Sequence, residues 1–208
     1  MDNTEIEKLY NDTFAGCTIF YRDTNLDESL IAKYQQNQIL LERGFTDMSF
    51  KGGGLNQNLR YLIASSKGKN LSAINPQSEK FGHILLQSNS YFKVLDIYTI
   101  EDKTQIMLLN ISKESIELFQ ASTSNIENQV IDKGRESFIA KINTESIPEL
   151  DTTEWRERTK YPIGLSDKGE FFYQLETHKL YPEEVQGTKQ TEQVEKAESK
   201  KKPWWKKW

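Results

Sequence analysis

The last nine residues, Lys200 to Trp208, read KKKPWWKKW, and they confine the fold to what precedes them. Five lysines and three of the chain's four tryptophans make a segment too short and too charged to build a core. From Pro182 to that tip the chain is Glu, Gln, Lys, Thr and Ser with almost no apolar content, the composition of a disordered linker. The core therefore lies upstream of about Leu180, drawn from a chain that is 36% hydrophobic and 11% aromatic. A length of 208 residues suits one domain plus an appendage. The expected division is a globular domain over 1–175, a flexible polar linker over 176–199 and a basic docking motif over 200–208. The net charge of −4 divides accordingly: the tip carries +5, which leaves −9 for everything before it.

Cys17 is the only cysteine, so no disulfide forms within the chain, and a reducing compartment fits. The N-terminal MDNTEIEKLYND lacks the basic and apolar regions of a secretory signal. No window approaches the roughly 18 consecutive apolar residues of a membrane-crossing helix. The expected location is cytoplasmic, with peripheral membrane contact as a variant.

Residues Thr4–Tyr10 have a short amphipathic helical pattern, and Cys17–Tyr21 is β-prone. Asn25 to Glu28 reads as a capping box. Leu30, Ile31, Tyr34, Gln38 and Leu41 follow at three- and four-residue steps, with Gly44 as the stop, which predicts a helix. Leu59–Ala64, Phe81–Gln87, Tyr91–Ile100 and Thr104–Ile111 read as strands, the last three as an antiparallel meander turning at Glu101–Lys103. In the middle run Phe92, Val94, Tyr98 and Ile100 share one face while Leu95 and Ile97 take the other, which marks a central strand. Two helical stretches follow Ser112, with a break near Ala121–Asn125. The fold class is α+β: an antiparallel sheet of about four to six strands with packed helices, followed by a disordered C-terminal tail.

The chemistry-bearing residues are sparse. Cys17, His83 and His178 form no C-x-x-C or H-x-x-x-H pair, so neither a metal site nor a cofactor is expected. Lys51-Gly52-Gly53-Gly54 lacks the strand-loop-helix context of a phosphate cradle and reads as a mobile loop. Asp96, Glu154 and Glu157 are carboxylates without an evident partner for acid–base work, so no catalytic residue is assigned.

The tip then carries the functional expectation. Lys200, Lys201, Lys202, Trp204, Trp205, Lys206, Lys207 and Trp208 join interface-anchoring indoles to cations. They suit a protein partner with an acidic groove that accepts aromatic rings. An anionic membrane surface or single-stranded nucleic acid is the alternative, the second disfavoured by the acidic body. The expected function is a non-catalytic binding or adaptor protein recruited to a larger assembly through this motif. The alternatives are a peripheral membrane protein, a nucleic-acid accessory protein, and a small enzyme with an unrecognised site.

Overall fold

The computed structural model describes residues 2–121 and 124–175, so the linker over 176–199, His178 and the Lys200–Trp208 motif lie outside the described residues. Helix α1 (Asn3–Phe14) begins with a capping box: Asp2 accepts from the Glu5 amide at 2.8 Å, and Glu5 accepts from the Asp2 amide at 2.9 Å. It runs further than the expected Thr4–Tyr10 and packs Tyr10 and Phe14 against Phe119. Strand β1 (Thr18–Thr24) follows.

The helix expected from Asn25 to Leu41 is corrected to one turn, α2 (Glu28–Ile31). The Asn25 carboxamide accepts from the Asn58 amide at 3.0 Å instead of capping the helix. Asn37, at φ 68°, turns the chain out of helical geometry. Beyond it Ile39 and Leu40, both fully buried, continue as β2 (Ile39–Glu42). Strand pairing thus overrides a helical spacing, and Gly44 lies in the turn to β3 (Thr46–Ser49) rather than at a helix end.

The remaining strands are β4 (Leu59–Ser65), β5 (Lys69–Asn70), β6 (His83–Leu86), β7 (Ser90–Ile100), β8 (Lys103–Ile111) and β9 (Gln174–Leu175). They form one sheet in the order β5-β6-β3-β1-β4-β8-β7-β2-β9. Its nine strands among the described residues exceed the expected four to six, because short polar or mixed segments such as β3, β5 and β9 pair without a strong sequence signal. The expected meander is corrected too. The β7–β8 hairpin is present, but β6 pairs with β3 and β5, and β4 runs parallel to β8.

A bulge between Val94 and Asp96 reverses the facing of β7. Phe92, Val94 and, past the bulge, Ile97 therefore join Phe20, Met48, Tyr61 and Leu108 on one side of the sheet. Leu95 joins Leu62, Met107 and Leu109 on the other. That second side is covered by α1, α3 (Ile116–Ala121) and α4 (Asn125–Lys141). Helix α4 opens with a Ser124–Glu127 capping box, and the same Glu127 carboxylate receives the buried Lys93 ammonium of β7 at 3.0 Å. Helix α5 (Thr153–Thr159) packs on β1 and β3. Among the described residues, no helix is long and apolar enough to cross a membrane.

On the first side, the segment after α5 is tied down by a closed ring of hydrogen bonds. The Ile163 amide donates to the Tyr61 hydroxyl at 3.3 Å, Tyr61 donates to Tyr34 at 2.7 Å, and Tyr34 donates to the Ile163 carbonyl at 2.6 Å. Burial pushes the Tyr61 phenol up to about 12 and holds Tyr34 well above its ordinary value. An unfolded phenol ionises near 10, so above that pH the unfolded chain releases a proton that the folded one keeps. Each such group then removes about 1.4 kcal/mol of stability per pH unit up to its folded pKa. The urea midpoint should fall between pH 10 and 12, and Tyr61→Phe should make that fall shallower; equal slopes in both proteins would contradict the ring.

Candidate active site

Alternation along β1 sends Tyr21 and Asp23 to the α4 side of the sheet and Phe20, Arg22 and Thr24 to the other. Tyr21 pairs with Ser49 of β3 and Leu62 of β4, and Ser49 pairs with His83 of β6. His83, Ser49 and Tyr21 therefore stand in one cross-strand row, with Asp23 opposite Arg60 two residues along β1.

Arg60 is 1% exposed and fixes the centre of this face. Its Nε and Nη2 donate to the two Asp23 carboxylate oxygens, each at 2.7 Å, and Nη2 also reaches the Gly53 carbonyl at 2.9 Å. The guanidinium lies 5.3 Å from the centre of the Tyr21 ring. Its Nη1 is buried and meets no acceptor among the described residues.

The glycine loop is seated against its neighbours. The Gly54 amide donates to the Glu145 carbonyl at 3.0 Å, and a Cβ on Gly54 would lie 1.9 Å from the Thr144 carbonyl oxygen. Gly52 lies flat on the Tyr21 ring, where a Cβ would be 2.5 Å from Cζ. Glycine is required here by close approach of backbone to backbone and of backbone to ring.

From the opposite direction α4 presents Ser137 and Lys141, one turn apart. The Lys141 ammonium donates to the Tyr21 hydroxyl at 2.8 Å and sits 4.5 Å from the ring centre, while Ser137 Oγ is 3.4 Å from the same hydroxyl. Burial pushes the Tyr21 phenol up, but the hydrogen bonds from Lys141 and Ser137 and the charges of Lys141 and Arg60 outweigh it, leaving the phenol below its ordinary value. Tyr21, Ser137 and Lys141 are all half-buried, so solvent reaches them.

His83 Nε2 and Asp47 Oδ1 are 2.7 Å apart at the far end of the row. The imidazole stands edge-on to Trp155 of α5 at 5.2 Å, and Phe81 stacks on the same indole at 5.1 Å. With His83 4% and Trp155 2% exposed, this pair is sealed and positions α5. Asp47 also accepts Arg22 Nη1 at its backbone carbonyl, on the other side of the sheet. Arg22 Nη2 donates to the Tyr161 carbonyl at 2.8 Å, and burial lowers its pKa.

The residues that stood out in the sequence are thus mostly dispersed. Cys17 lies four residues before Tyr21, about 13 Å along the strand, and burial pushes its thiol up. Among the described residues, no three of His, Cys, Asp and Glu are grouped to hold a metal ion. Asp96 is held by a forked bond from Arg135, at 2.6 and 2.7 Å. Glu154 meets Lys80 and Glu157 meets Lys160 at the surface. Two surface hollows, of about 450 and 700 Å³, lie near Lys67, Ser112 and Glu114 and include none of the groups around Tyr21. The sequence reading missed Tyr21, Arg60, Ser137 and Lys141. The only signal for the last two was their i, i+4 spacing on a helix, which is commonplace.

No protein-family model and no curated protein matches the chain. Solved structures do match. The Vis toxin, an ADP-ribosyltransferase from Vibrio splendidus, is 18% identical over 48% of this chain and 50% of its own, with a TM-score of 0.38. The ADP-ribosyltransferase HopU1 of Pseudomonas syringae pv. tomato is 20% identical over 46% of each chain, with a TM-score of 0.42. Exoenzyme S from Pseudomonas aeruginosa, solved with human 14-3-3 protein beta and bound to carba-NAD, is 14% identical over 57% of this chain and 65% of its own, with a TM-score of 0.40. The chain spans about half the length of the first solved chains it matches. The expectation of a non-catalytic adaptor and protein-binding module is withdrawn against these matches, two of which are named as ADP-ribosyltransferases. At such identities and TM-scores no residue role is carried over from them.

Seating of the glycine loop gives a direct test. In Gly54→Ala the new methyl meets backbone that cannot swing aside, so stability should fall by about 1–3 kcal/mol in urea unfolding. An unchanged midpoint would show that the loop is not docked against residues 144–147.

Proposed function

We propose that this chain is a group-transfer enzyme that acts on an anionic, nucleotide-like donor at the Tyr21 face. The observation that carries the reading is the placement of two cations, Arg60 and Lys141, against one solvent-reached phenol ring. The Lys141 ammonium is the donor an incoming anion can reach, and the buried Arg60 charge beside the ring adds to the positive field there.

ADP-ribosyl transfer from NAD is the reaction to assay first. It is the activity named for two of the solved chains above, and its chemistry asks for what this face offers. The bond between C1′ of the ribose and the nicotinamide nitrogen breaks, and neutral nicotinamide leaves with the bonding electrons. An acceptor oxygen or nitrogen bonds to C1′ and gives up a proton. Cations hold the diphosphate through this step. We place the reaction in a cytoplasmic, reducing setting, which suits the free Cys17 thiol.

With NAD as the probe, nicotinamide release should be measurable by chromatography, and Lys141→Gln should slow it about 10²–10³-fold, the size expected for loss of a charged donor to the transition state. No release, together with no heat of NAD binding in calorimetry, would remove the reading.

A further inference from the structure

The proton given up by the acceptor has to go somewhere, and the two groups best suited by residue type differ sharply in access. His83 is the only histidine among the described residues. Its Nε2 faces Asp47 and its ring edge meets Trp155, with 4% of the residue exposed, so an acceptor cannot reach it without moving α5. Tyr21 stands two strands away in the same cross-strand row, about 10 Å at ordinary strand spacing, and solvent reaches it.

We infer that Tyr21 is the general base of this site: its oxygen, bonded by the Lys141 ammonium, takes the proton of the acceptor as the new bond to the donor forms. This rests on the group-transfer reading.

The geometry is that of a phenol prepared to exist as phenolate. Lys141 has no lone pair to offer while charged, so in its 2.8 Å bond to Tyr21 the phenol oxygen must be the acceptor. Lys141 therefore favours a bare phenolate oxygen. Ser137 Oγ, at 3.4 Å, makes only a weak contact with the same oxygen. The charged groups facing the ring are Lys141 from α4 and Arg60 from β4, the latter partnered by Asp23 from β1. The glycine loop adds no charge, and Ser49 of β3 is neutral. Both cations favour the negative form, and the phenol is accordingly held below its ordinary value despite burial. A general base works best with a pKa brought toward the operating pH, and the cations move this phenol in that direction. Since Ser137 and Lys141 lie on one helix face, α4 delivers both contacts as a rigid unit.

The test combines a titration that needs no substrate with a rate profile that does. In ultraviolet difference titration of the intact chain, one tyrosine should ionise ahead of the others. Tyr21→Phe should delete that step and Lys141→Met should move it to higher pH. With NAD, Tyr21→Phe should lower kcat at least about hundredfold with little change in KM, and Lys141→Met should shift the rising limb of the pH–rate profile upward. Both substitutions keep the bulk of the side chain, and equal thermal melts confirm that the fold is intact. If the wild-type protein turns over NAD but Tyr21→Phe leaves kcat unchanged, the general-base role is wrong while the transfer reading stands. If Tyr21→Phe deletes no early titration step, the prepared phenol is wrong as well. A wild-type protein without turnover overturns both the transfer reading and the role built on it.

Discussion

The buried fork between Arg60 and Asp23 is the contact on which the working face depends. It joins β1 to β4 at the level where the glycine loop crosses, and the same guanidinium holds the Gly53 carbonyl and lies against the Tyr21 ring. Removing the Asp23 carboxylate would leave the Arg60 charge buried without its partner, which typically costs several kcal/mol. A pair so placed does more for geometry than for stability. It fixes the floor against which a seated loop and a rigid helix can bring backbone, hydroxyl and ammonium to one phenol.

The two sides of the sheet divide structure from chemistry. On one side Tyr34, Tyr61 and Ile163 close a hydrogen-bond ring, and Arg22 holds the carbonyls of Asp47 and Tyr161. On the other side Arg60 lies against the ring of Tyr21, which keeps access to solvent. Successive residues of β1 thus serve opposite ends: Arg22 anchors the segment after α5, and Tyr21 meets the outside. The body before the C-terminal tip is acidic, its net −9 offset by the +5 of the tip to give the chain's −4, yet the cations that matter are placed locally. Overall charge says little about what this face attracts.

Strand periodicity was legible where it was long. The β7–β8 hairpin, its turn at Glu101 and the break between α3 and α4 follow from apolar runs and polar interruptions in the sequence. The region from Asn25 to Ser49 misled because Leu30, Ile31, Tyr34 and Leu41 have helical spacing by accident, while Asn25 spends its carboxamide on Asn58. Pairing with β7 and β9, distant in sequence, decides the matter for β2. The candidate site was illegible for the same reason. Tyr21, Arg60 and Lys141 belong to three elements separated by 39 and 81 positions, and no local motif joins them. The triple glycine was visible but its meaning was inverted, since what reads as freedom is a requirement for close packing. The conspicuous Lys/Trp tip drew attention to a part of the chain outside the described residues and away from the sheet.

The central claim is that ligand meets the protein at the Tyr21 face rather than in the larger hollows beside Lys67 and Ser112. Nuclear magnetic resonance of the ¹⁵N-labelled protein, titrated with NAD, reads this residue by residue. The account predicts that the amide signals of Tyr21, Gly52, Gly53 and Lys141 move together along one saturating curve. Movement confined to Lys67, Asn89 and Ser112, with those four signals fixed, would contradict it.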